Sequence, residues 1–177
     1  MRVRGDVDSG GPNVQDVGDN PYKTVGDTDF YLVEVPPGEY VFYGMGAIHN
    51  VITCNCLGTV GFTTTPGHVT DIGTVVMDVV SRKSDVPELA GETGLGASAN
   101  GSRFMTVATI RPAGAQTPGM PELDSTIVAP ADFEAIGPYP NALAVYINRL
   151  APIVGILAYD KDGHVLDVKR GVEAPPR

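Results

Sequence analysis

Residues 30–80 read FYLVEVPPGEYVFYGMGAIHNVITCNCLGTVGFTTTPGHVTDIGTVVMDVV. Short runs of β-branched and aromatic residues are cut by Pro36-Pro37-Gly38 and by Pro66-Gly67. Proline fixes φ and glycine accepts the left-handed position of a type II turn, so each cut reverses the chain. Extended runs joined by such reversals form an antiparallel sheet. Strands are expected at 28–35, 39–46, 50–56, 59–65 and 68–80. In the first, Tyr31, Val33 and Val35 make the cleaner apolar face and are placed inward. EYVFYGMG at 39–46 is apolar on both faces, which fits a strand buried on two sides or an aromatic-lined edge. In NVITCNC, Ile52, Cys54 and Cys56 share the face that points to the core.

Outward from this stretch the same grammar continues. Residues 1–27 lack alternation and read as an N-terminal arm, partly irregular, with a short strand near Tyr22–Val25. Residues 28–177 form the domain. Residues 81–101 and 113–124 are loops rich in small residues, glycine and proline. Residues 102–112 alternate as a strand, and 125–129 make a short one. Pro130-Ala131-Asp132-Phe133 reads as the start of a short helix over 130–136, ended by Gly137-Pro138. Residues 141–150 fit either a strand or one helical face, and Val145-Tyr146-Ile147 favours strand. Residues 154–169 are a hairpin about Asp160-Lys161-Asp162-Gly163. The fold expected is all-β, an antiparallel β-sandwich of roughly eight to ten strands with at most one short helix.

Composition sets limits on function. The chain has 177 residues, enough for one domain with a real core. Its net charge is −9, and no run of Lys or Arg exceeds a pair. Such a surface repels phosphate backbones and anionic lipid, so no nucleic acid partner is expected. No stretch is long and apolar enough for a membrane span. The opening residues have no apolar segment of the signal-peptide kind. A chain that had lost an export leader would read the same way, and extracytoplasmic placement is then favoured.

VEVPPGEYVFYG resembles the Pro-x-Gly-x-Tyr strand opening of small extracellular β-sandwich modules, carried here by Pro37, Gly38 and Tyr40. FTTTPGHVTDIGTVV is similar to their second unit, carried by Pro66, Gly67, Ile72 and Gly73. Modules of this kind include transthyretin-like and Cna-B repeats and DUF2846-like bacterial secreted proteins. The resemblance implies a sandwich fold and a cell-envelope setting, and it carries over no catalytic residue.

The one constellation with chemical potential is His49, Cys54, Cys56 and His68. Thiolate and imidazole ligands suit zinc or copper. A Cys-x-Cys pair holds one metal only where the backbone bends, and no Cys-x-x-Cys knuckle is present. In a straight strand the two Cα atoms lie about 6.6 Å apart with parallel side chains, which favours two buried thiols over a disulfide. A Cys54–His49 or Cys54–His68 dyad would place its nucleophile on a core-facing position. Other candidates are weaker. Asp160 to Gly163 lacks the ligands of a calcium loop and is explained by its turn. Glu88 and Glu92 sit in a solvated loop. Gly94 to Ser98 has no following Lys-bearing helix. Tyr31, Tyr40, Phe42 and Tyr43 read as core before they read as a ligand platform. The function expected is a non-enzymatic binding or structural module. The alternative is a metal- or thiol-dependent site on Cys54, Cys56 and His68. Self-association through an exposed edge strand is a third possibility.

Overall fold

The computed structural model describes residues 2–3, 20–47, 51–91, 106–114, 123–141 and 146–174. The strands are β1 (Arg2–Val3), β2 (Lys23–Val25), β3 (Thr28–Phe30), β4 (Gly38–Val41), β5 (Gly44–Ala47), β6 (Val51–Cys54), β7 (Thr59–Thr64) and β8 (Val69–Asp71). They continue with β9 (Thr74–Val79), β10 (Thr106–Arg111), β11 (Val128–Pro130), β12 (Glu134–Ile136), β13 (Tyr146–Ile147), β14 (Leu157–Tyr159), β15 (Val165–Asp167) and β16 (Val172–Glu173). The fold is an all-β sandwich without a closed barrel. Its strands are shorter and more numerous than expected, because runs such as 39–46 and 68–80 each break into two. Among the described residues no helix is long and apolar enough to cross a membrane.

The central sheet has the order β1-β4-β7-β12, antiparallel throughout. Its two faces are both covered. Tyr40 and Phe42 enter the principal core with Val60, Phe62, Phe133 and Leu157. Val41 and Tyr43 enter a second core with Cys54, Cys56, Ile136 and Tyr139. The period-2 alternation of a strand therefore runs unbroken from Tyr40 to Tyr43, and the doubly apolar segment is doubly buried. Phe62 meets Phe133 edge-on at 5.8 Å between ring centres, and Tyr40 lies over Phe62 at 6.0 Å. Tyr31, by contrast, is 45% exposed, and regular pairing of the first strand stops at Phe30. Val35 alone of the expected inward face packs on the principal core.

Several local expectations are corrected. No helix forms over 130–136. Phe133 and Ala135 point to the principal core and Ile136 to the second, a two-residue period that tertiary burial imposes over the Pro130 start signal. Among the described residues the short helix is a 3-10 turn at Pro87–Leu89, which places Leu89 in a third core with Val107 and Ala151. Gly38 opens β4 with φ 158°, not in the left-handed turn position. Gly67 does take that position, at φ 72°, and His68 N–H donates to the Thr65 carbonyl across the turn. The sheets are also not wholly antiparallel: β11 runs parallel to β8, and β13 parallel to β6. The N-terminal arm contributes β1 to the central sheet, and its Tyr22–Val25 strand pairs with β3 about Gly26. The hairpin about Asp160 to Gly163 forms as expected, with Leu157 opposite Asp167 and Tyr159 opposite Val165.

Candidate functional site

The cysteines lie at the end of β6, where the chain leaves the ladder. Asn55 N–H donates to the Tyr43 carbonyl at 2.8 Å, and Gly58 N–H closes a turn onto the Asn55 carbonyl at 3.2 Å. This turn draws the Cα atoms of Cys54 and Cys56 to 5.2 Å, well inside bonding range, and the two sulfurs form a disulfide. The expectation of two buried thiols is thus overturned, because the strand ends between the cysteines instead of running through them. Both are buried, as expected, against Tyr43 and Tyr139, whose rings meet edge-on at 6.3 Å. Two neighbours are unusual: among the described residues, the Thr53 hydroxyl and both polar atoms of the Asn55 side chain are buried without a hydrogen-bond partner.

Of the predicted ligand set, three residues can be placed: Cys54 and Cys56 are bonded to each other, and His68 lies apart from them. His68 is exposed at the Pro66-Gly67 turn, beyond Thr64. Cys56 lies just before Thr59, at the other end of β7, a strand roughly 17 Å long. His49 lies outside the described residues. Sulfurs joined to each other are not thiolates and serve neither as metal ligands nor as nucleophiles. Among the described residues, no three His, Cys, Asp or Glu side chains are grouped as a metal site.

Among the described residues, polar side chains gather in two clefts that are not apparent in sequence. The first, of about 320 Å³, lies where the β15–β16 turn meets the approach to β12. Lys169 Nζ donates to Asp132 Oδ1 at 2.7 Å and to the Phe133 carbonyl at 2.8 Å. Arg170 Nη2 donates to Glu134 Oε2 at 2.7 Å, and its Nε lies 3.6 Å from buried Asp167. The Lys169 hydrogen bond, reinforced by its charge, lowers the Asp132 pKa. Each cation here has a carboxylate partner, and these pairs tie the hairpin to the central sheet.

The second cleft, of about 450 Å³, is bounded by the Asp160 to Gly163 turn, by Glu173 and Ala174, and by Leu57 and Pro138 beside the disulfide. Asp160 organises the turn: its Oδ1 accepts from Asp162 N–H at 2.8 Å and His164 N–H at 2.9 Å, and its Oδ2 lies 3.0 Å from His164 Nδ1. That side-chain hydrogen bond, then the Asp160 charge, raises the His164 pKa. The half-buried Arg149 places its guanidinium 4.2 Å over the Tyr159 ring. The ring is itself fixed, since Tyr159 Oη donates to the Leu150 carbonyl at 2.7 Å.

No family model matches the chain, and neither curated proteins nor solved structures yield a match. Function therefore has to come from the chemistry of the chain itself.

Proposed function

We propose that this chain is a non-enzymatic binding or structural β-sandwich module of the cell envelope. The observation that carries the reading is the buried Cys54–Cys56 disulfide. Disulfides persist in oxidising compartments and are rare where glutathione and thioredoxin keep thiols reduced. The same bond occupies the only two sulfurs that thiol chemistry would need. The likeness of the Pro37-Gly38-x-Tyr40 segment to extracellular sandwich modules agrees with this setting.

Thiol accounting tests it. Protein recovered under oxidising conditions is unfolded and treated with an alkylating agent, then weighed intact. The expected result is no adduct until a reductant is added, and two adducts afterwards. Two adducts without reductant would refute the reading and return the chain to thiol or metal chemistry.

A further inference from the structure

We infer that the cleft beside the β14–β15 turn binds a small molecule carrying one carboxylate on an apolar body, with Arg149 as its anchor. This deepens the binding-module reading and rests on it.

The argument begins with the guanidinium. Arg149 places its guanidinium carbon 4.2 Å from the centre of the Tyr159 ring, a cation–π contact. Such a contact does not require the N–H groups as donors to a carboxylate or a carbonyl, which leaves them for other partners. Among the described residues none of them is matched to a carboxylate or a carbonyl. Lys169 and Arg170 of the other cleft have such a match, with Asp132 and Glu134, as does Lys161, on the turn beside Arg149, with Asp162. Arg149 is therefore held in place by a ring and left with its planar donor fork unused, the form that recognises a carboxylate through two parallel hydrogen bonds. A Cβ placed on Gly163 would sit 3.6 Å from Arg149 Nη1, so the guanidinium lies against the turn that bounds the cleft. At φ 87° this position excludes ordinary side chains, which keeps the approach open.

The rest of the lining selects the ligand. Leu57, 52% exposed, and the exposed Pro138 stand at the rim and offer an apolar surface that a ligand body would cover, with buried Val165 and Ala174 behind it. The cleft also holds Asp162 and Glu173. With a chain charge of −9, these oppose a dianion such as phosphate more strongly than a single carboxylate. The volume is that of a small-molecule site.

The test uses the oxidised 177-residue chain and phenylbutyrate, its primary amide, inorganic phosphate, and a short peptide ending in Leu with a free or an amidated C-terminus. Chemical shifts of the protein are followed on titration, and the probe spectra are followed over time. Phenylbutyrate is expected to shift resonances of Leu57, Gly163 and Val165 and to bind about tenfold more tightly than its amide. Phosphate is expected to leave them unmoved. Binding by the free-ended peptide as well would name a peptide C-terminus as the source; binding by phenylbutyrate alone would name a free acid. Arg149→Gln should remove the preference for carboxylate over amide, and Lys169→Gln, in the other cleft, should leave it intact. If Arg149→Gln fails to fold by circular dichroism, Leu57→Ser, at an exposed position, should weaken phenylbutyrate several-fold. Equal binding of acid and amide, or no binding of either, would overturn the ligand class while the module reading stood. Chemical conversion of any probe would instead overturn the non-enzymatic reading.

Discussion

Two glycines of this chain share a backbone conformation and differ in what surrounds them. Gly67 has φ 72° with nothing within 4 Å of where a Cβ would be. Gly73 has φ 79°, and a Cβ there would lie 2.1 Å from the Arg111 carbonyl oxygen, 2.7 Å from Ala113 N and 2.8 Å from Pro112 C. Gly67→Ala should therefore lose only the left-handed strain of an L-residue, about 1–2 kcal/mol. Reduced freedom of the unfolded chain offsets part of this, leaving a net loss of about 1 kcal/mol. Gly73→Ala carries the same strain plus a clash with backbone, which has no rotamer by which to escape. Relief requires β10 to move from β9 at the Thr74–Arg111 end of their ladder. Overpacking of that kind costs about 1–3 kcal/mol, and a lost ladder hydrogen bond about 1 more. The expected difference between the two variants is about 2–4 kcal/mol. Urea unfolding followed by circular dichroism, with the disulfide intact, measures it. Gly155→Ala, at φ 75° with open space around it, serves as a second control and should match Gly67→Ala. Losses equal within about 0.5 kcal/mol for all three would refute the close approach of 111–113 to Gly73.

The other expectations concern the disulfide corner and one ion pair. Because the Cys54–Cys56 bond closes a very short loop, chain entropy gives it only about 1.5 kcal/mol. Reduction should therefore lower the urea midpoint modestly, and a loss above about 4 kcal/mol would contradict that account. Thr53→Val removes a buried hydroxyl that has no partner among the described residues and should raise stability by about 1 kcal/mol. A comparable loss, read by thermal and urea unfolding, would mean that the hydroxyl is satisfied. Glu88, hydrogen-bonded by Arg111 at 2.6 Å and further favoured by that charge, has its pKa lowered from 4.5 to about 2. A carboxylate with a depressed folded pKa stabilises above its unfolded value, and the effect fades as pH falls from 4.5 through about 2. The stability advantage of the parent over Glu88→Gln should shrink across this window, and more so in low salt. An advantage unchanged from neutral pH to pH 2 would exclude the pair as its origin.

The cysteine positions show how far sequence reading carries the fold. That Cys54 and Cys56 face the core was legible from alternation with Ile52, because burial of a strand follows a two-residue period. The Asp160 to Gly163 hairpin was legible for the same local reason, since turn chemistry is written in the residues that make the turn. The candidate metal set was assembled from residue types alone, and the length of β7 separates His68 from the cysteines. Arg149 carried no signal at all, because its partner is an aromatic face and its neighbours come from distant segments.

By itself the sequence determined an all-β chain with an aromatic strand apolar on both faces, set by φ preferences and side-chain period within a few residues; that both faces are buried was decided by the packing. Only the tertiary structure decided three further features: the bonding of the cysteines, the parallel pairings of β11 with β8 and β13 with β6, and the grouping of charges into clefts. Lys169 meets Asp132 across 37 positions, and Asn148 reaches the Thr106 carbonyl across 42. Contacts of that span are fixed by how whole sheets stack, which local propensity does not encode.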